Sequence, residues 1–535
     1  MTAGASVEQL AKSYLDLWWH FDPVAATAQG VSTHDGRLGM HDDESVQRHV
    51  AALKSIGGAL EDCDVESLDD EIDRTALLDE IRVQTYRLET EQRHTRDPLF
   101  WVSHVLDGLH LLLAVQDRPQ EARAAAAAAR VRAVPSYLEA ARETLHEYSQ
   151  VLADTAVRMT VDGAGLFEQV AVELAPAAAP DFAVACEDAR RALGSFAEDL
   201  QQGGSGADFA VGEEGVNFRL HYQHALRNTA PELWRYGLAL VERTEQELVE
   251  LAARIAPDTP WPDLIARLQA DHPAPGELVN VYRERMERAR AFVREHELVT
   301  VPEGALRVEA TPNFLRPVVP FAAYQPPGAF SDDRTGRFFV TVPADADPTP
   351  DLDARLQAHC VHDLAATSVH EAYPGHHLQF LTAHAQPRTV RRTIGTPLFY
   401  EGWALYCEEL MREAGFYDGL EEVRFQKRAL LFRACRIVLD VGLHTRGMTP
   451  DEAVSYLVDR VHLDRSHAEA EVRRYCAEPA CQLAYAVGCR EILSLRDAYR
   501  DAAGADADLR RFHDTVLSYG ALPLSLIRWG MGLEE

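Results

Sequence analysis

Lysine is nearly absent from this chain of 535 residues: Lys12, Lys54 and Lys427 are the only three. Basic residues number 53 against 84 acidic ones, and the formal net charge is −31. So acidic a surface repels polyanions, which argues against nucleic acid or an anionic membrane as a partner. Paired cysteines are absent too. The eight cysteines (Cys63, Cys186, Cys360, Cys407, Cys435, Cys476, Cys481 and Cys489) form no CxxC pair and no zinc-ribbon spacing. They read as isolated buried thiols of a reducing compartment. The opening MTAGASVEQLAKSYLDLWWHFDP has no basic stretch followed by an apolar one, and no apolar run approaches the roughly 18–20 residues that span a bilayer. These absences predict a soluble, cytoplasmic protein. The GxSxG elbow, the GxxxxGK[ST] loop and a GxGxxG turn after a strand are also missing, so a serine-hydrolase elbow and the common phosphate cradles are excluded.

What is present is helical. Leu10, Tyr14 and Trp18 recur at four-residue steps, and residues 229–256 read as one long amphipathic helix. The alanine-rich run 121–134 favours helix because alanine loses no side-chain entropy there. The texture changes only between about 299 and 345, where VTVPEGALRVEATPNFLRP and GRFFVTVP are β-branched, aromatic and broken by proline and glycine. A small sheet is expected over about 305–343, with GRFFVTVP as its cleft-side edge, open to an extended peptide.

Immediately after it comes the most histidine-rich segment, HCVHDLAATSVHEAYPGHH at 359–377. Metallohydrolases of the HExxH type place two imidazoles on one helix face to hold zinc, with a carboxylate beside the first to deprotonate the metal-bound water. Here His370-Glu371 supplies the start, but Pro374 stands where the second histidine belongs. In a straight helix, at about 100° and about 1.5 Å per residue, His376 would lie about 120° off the face of His370 and His377 about 10 Å along the axis. Neither could share one ion with His370. Pro374 removes a backbone donor and Gly375 permits unusual dihedrals, so a two-residue bulge is predicted to carry His376 to the ligand position, with His377 as second choice. The dipeptides His146-Glu147 and His296-Glu297 lack a close histidine partner, which shows how little a lone HE means. A third ligand is sought in FYEGWALYCEE at 399–409. Glu401 lies 31 residues after His370 and ahead of an apolar helical run, as the glutamate ligand of gluzincins does. Glu408 and Glu409 compete with it, although a solvated helix face accounts for both. Trp403 and Tyr406 would pack or line the cleft.

The strings HEAYPGHHLQ and YEGWALYCE together resemble the bacterial domain-of-unknown-function family 885, a zincin-like group similar to the carboxypeptidase Taq type of metallopeptidase. DPVAATAQGVSTHDGRL, VLDVGLHTRGMTPDEA, CQLAYAVG and FHDTVLSYGALPL extend the likeness over nearly the whole chain. The resemblance implies a mainly α fold: one helical cradle over residues 1–535 with a deep cleft and a small antiparallel or mixed sheet beside the metal site. Residues 1–300 would form its N-terminal helical part, and residues 301–535 the sheet and the metal-site helices.

Further positions complete the expected site. Asp440 and His444 are one helical turn apart and could form an oriented histidine that stabilises an oxyanion. Tyr485 could donate to a tetrahedral intermediate. Arg433, Arg436 and Arg490 could meet a substrate carboxylate. The function expected is a hydrolase of peptide or small amide bonds with one zinc ion per chain, Glu371 as general base, and a weak lean to carboxypeptidase. The substrate would be a short peptide or small amide, and the protein a monomer or homodimer. Alternatives are a metal-dependent enzyme acting on a specialised metabolite, or a metal-free binding or scaffold protein of the same fold.

Overall fold

The computed structural model describes residues 5–533 except 116, 175–176, 204–205, 313–315, 317–318, 320 and 344–351. Helices dominate, and their ends follow local chemistry. The helix Ala230–Ile255 (α1) starts with Thr229 and Glu232 in a reciprocal capping box and a proline in the first turn. The same logic starts Pro397–Glu413, where the Thr396 hydroxyl accepts from the Leu398 amide.

Buried apolar side chains fall into two large clusters. The smaller lies under the helices Pro98–Ala114, Gln120–Thr144 and Phe182–Gln202. The larger joins the first helices to the last, with α1 lying along Leu420–Thr445 (α5). Helices on both sides of residue 300 therefore share a core.

Three strands form the predicted small sheet: β1 (Ala305–Ala310), β2 (Ala322–Gln325) and β3 (Thr335–Val340). β1 pairs parallel to β3 and β2 pairs antiparallel to it, in the order β1-β3-β2. This corrects one expectation. GRFFV is the central strand, so both its edges are already hydrogen-bonded and it cannot receive a peptide. Gly336 through Val340 are buried without alternation, the pattern of a strand covered on both faces.

Four helices complete the surroundings of the site: Leu364–Glu371 (α2), His376–His384 (α3), Pro397–Glu413 (α4) and, after α5, Ala484–Ala503 (α6). Among the described residues, no helix is long and apolar enough to cross a membrane.

Candidate metal centre

The break between α2 and α3 makes the site. α2 ends at Glu371, Ala372 to Gly375 leave the helical path, and α3 restarts at His376. The Tyr373–Pro374 peptide is cis. The chain folds back so tightly that a Cβ on residue 375 would collide with the carbonyl oxygen of His370, and only glycine fits. The Gly375 amide donates to Val369 O at 3.0 Å and the Leu378 amide to Ala372 O at 3.3 Å, which steps the helix past the extra residues. Trp403, fully buried on α4, donates its indole N–H to Pro374 O at 2.9 Å and ties the break to the next helix.

This geometry brings His370, His376 and Glu401 together, with one ligand-type atom from each inside a span of 4.8 Å. Glu401 Oε2 lies 3.7 Å from His370 Nε2 and 3.4 Å from His376 Nε2. Ligands about 2.0–2.2 Å from one tetrahedral zinc are about 3.4 Å apart, so the donor set has the right size. The two imidazole planes stand at 89°.

Glu408 completes the arrangement. It lies on α4 two turns beyond Glu401, is 1% exposed, and accepts from His370 Nδ1 at 2.9 Å. The expected solvated face is thus a buried carboxylate that fixes the tautomer of His370 and turns Nε2 toward the cluster. Arg433 holds Glu408 in turn, with Nη2 at 3.2 Å from Oε1. Burial alone would lower the His370 pKa, but Glu401 and Glu408 push it up to about 9. Burial raises the Glu401 carboxyl, yet His370 and His376 outweigh it and hold that pKa well below the usual carboxylate range. Positive charge is favoured at this point, as a cation site requires. Glu409, the other competitor, pairs with Arg412 at 2.5 Å.

The remaining expected residues divide. Glu371 and His370 wall a cavity of about 230 Å³, whereas Glu401 and Tyr485 wall a second of about 520 Å³. The ligand cluster stands between them. Burial, with the charge of Glu401 next, raises the Tyr485 pKa and keeps its hydroxyl a donor. His377 is not in the cluster. It is fully buried on the sheet side, with Nδ1 3.0 Å from the Tyr324 hydroxyl and its ring against Gly336. Burial and Arg290 lower its pKa to about 4.

The Asp440–His444 pair does not form. The Asp440 carboxylate instead accepts the amides of Ala480, Gln482 and Leu483, while His444 Nε2 bonds the Tyr475 carbonyl at 2.9 Å. Both are buried and bonded to backbone groups, and His444 lines neither cavity. Arg490 is also outside the site, engaged by Asn228 and Glu491 and lying over the Tyr236 ring. Arg436 pairs with Glu471 at 2.8 Å and covers the Tyr485 ring at 4.6 Å, so it supports that tyrosine. Arg433 is occupied by Glu408.

No curated protein sequence matches the chain. Two solved structures share its fold. One, from Shewanella oneidensis, is described as a lipoprotein candidate of unknown function; it is 23% identical over 98% of this chain and 100% of its own, at a TM-score of 0.82. Another lipoprotein candidate, from Colwellia psychrerythraea, is 19% identical over 99% of both chains, also at 0.82. A looser overlap, at a TM-score of 0.41 and 12% identity, links 98% of this chain to 93% of an M32 carboxypeptidase from Deinococcus radiodurans R1. The lipoprotein descriptions overturn the expected cytoplasmic location, because lipoproteins are held at membranes by a lipid rather than by a spanning helix. The family model described as bacterial protein of unknown function, DUF885, matches residues 23–531, and the chain belongs to that family.

Proposed function

We propose that the protein is a metal-dependent hydrolase of peptide or small amide bonds, with His370, His376 and Glu401 holding one zinc ion. The observation that carries this reading is the convergence of three ligand atoms at zinc spacing across a helix break that only glycine can make. Zinc, when bound, supplies a Lewis acid that polarises a carbonyl and acidifies water. The chain supplies the rest. Glu408 orients His370, and Arg433 keeps Glu408 in place. Glu371, beside His370 on the cavity wall, takes a proton from the attacking water and delivers it to the departing amine nitrogen. Tyr485, across the cluster, donates its hydroxyl to the oxygen that gains charge.

The test is a zinc titration of chelator-treated protein, followed by turnover of short peptides. One zinc per chain is expected, abolished by Glu401→Ala. Glu371→Gln should keep the zinc and lose about 10²–10⁴-fold in turnover. No zinc uptake, or full activity of Glu371→Gln, would refute the proposal.

A further inference from the structure

The smaller cavity holds a charge that the metal site does not use. Arg428, on α5, lines the same wall as Glu371 and His370. Its neighbours have partners: Arg433 is on Glu408 at 3.2 Å, and Arg436 and Arg474 are on Glu471 at 2.8 and 3.0 Å. Among the described residues no carboxylate hydrogen-bonds Arg428, and its Nε is buried without a partner. Asp363 shares the cavity, but its charge only partly offsets the burial that lowers the guanidinium pKa. Arg428 is partly buried, and the charge that acts on it most is that of Asp363, with no hydrogen bond between them. The planar fork of arginine matches a carboxylate with two parallel hydrogen bonds. Phe425, Phe432, Val461 and Leu463 form the apolar part of the wall, and Asp363, Glu371, Glu408 and His467 belong to its polar part. The volume of about 230 Å³ falls below the roughly 300–1,000 Å³ of pockets that take drug-sized ligands. It suits one residue, not a peptide.

We infer that Arg428 receives the terminal carboxylate of a peptide whose last, apolar residue occupies the smaller cavity, while the rest of the peptide leaves through the larger one past Glu401 and Tyr485. This rests on the hydrolase reading for the direction of cleavage, but carboxylate capture can be measured without turnover.

The experiment is a calorimetric titration of the full chain with N-acetyl-L-phenylalanine and with its C-terminal amide, before and after zinc loading. The acid should bind in both states, at least ~10-fold tighter than the amide, and Arg428→Met should bring it down to the amide's level. If zinc fails to bind while the preference for the acid persists, the metal reading falls and this inference stands. Four results would overturn it: no measurable binding of the acid, equal binding of acid and amide, a preference that survives Arg428→Met, or one that appears only with zinc. Should Arg428→Met not fold, Arg428→Lys is read instead. Lysine keeps the charge and loses the fork, so an acid-to-amide ratio unchanged from the unaltered protein would count against the inference.

Discussion

Of the two adjacent histidines at 376 and 377, one faces Glu401 and the other faces the sheet, and the difference is set by neighbours more than by either imidazole. Gly336 leaves the space that the His377 ring fills, and the Tyr324 hydroxyl meets its Nδ1. Among the described residues no group bonds Nδ1 of His376, which is buried, while its Nε2 faces Glu401. On the other side of the cluster, Glu408 fixes His370. Removing an outer partner of this kind typically costs about 10–100-fold in metal affinity. Glu408→Ala is therefore expected to weaken zinc binding by about that factor, and Glu408→Gln, which keeps an acceptor for Nδ1–H, by less. Competition against a chromophoric chelator would measure both. Equal affinity of Glu408→Ala and the unaltered protein would remove the orienting role.

The position of Glu401 depends on how closely two helices approach. α4 and α6 cross at Gly402 and Gly488, where a Cβ on residue 402 would lie 2.6 Å from the Gly488 backbone and one on residue 488 would collide with the Leu398 carbonyl. This contact lies one residue from Glu401 and three from Tyr485, so it sets their separation across the larger cavity. Gly488→Ala should force the helices apart at a cost of about 1–3 kcal/mol. It should lower the urea midpoint and weaken zinc binding together, through displacement of Glu401. A variant with an unchanged midpoint and unchanged zinc affinity would show that the helices have room to spare. The sheet teaches a related lesson: pairing on both sides turns β3 from an expected docking edge into a wall behind His377.

Across the whole molecule, buried histidines join segments far apart in sequence. His224 bonds Thr396 Oγ1 at 2.6 Å and the Ala480 carbonyl at 2.9 Å, and His513 bonds the Leu298 carbonyl at 2.6 Å and the Tyr406 hydroxyl at 2.7 Å. Burial lowers both pKa values to about 4, and those of His359 and His444 likewise. In the unfolded chain each would titrate near 6.5, so the unfolded state takes up protons first as the solution is acidified. Their contribution is complete above about pH 6.5 and is lost as pH falls toward 4, at up to about 1.4 kcal/mol per pH unit for each histidine. His370 acts in the opposite sense, because Glu401 and Glu408 hold its pKa up to about 9, but the four outnumber it. The urea midpoint should therefore fall clearly between pH 7 and pH 5. A midpoint constant over that interval would show that these rings are protonated in the folded protein.

Local pattern determined much of this protein. Helical periodicity and the one β-branched, proline-broken stretch gave a mainly α fold with a small sheet, because hydrophobic period is a short-range property. The spacing from His370 through Pro374-Gly375 to His376, with Glu401 after it, already contained the His-His-Glu cluster, since a straight helix cannot bring those histidines together. The apolar and aromatic run FFV suits a central strand as well as an edge, and only the pairing on both sides decides between them. Tertiary structure alone decided the rest. Only packing shows that Glu408 is buried on His370, that Asp440 and His444 serve backbone groups, that Arg490 lies elsewhere and that, among the described residues, no carboxylate hydrogen-bonds Arg428. Each depends on contacts between residues tens to hundreds of positions apart, and the cost or value of a charge is fixed by what surrounds it.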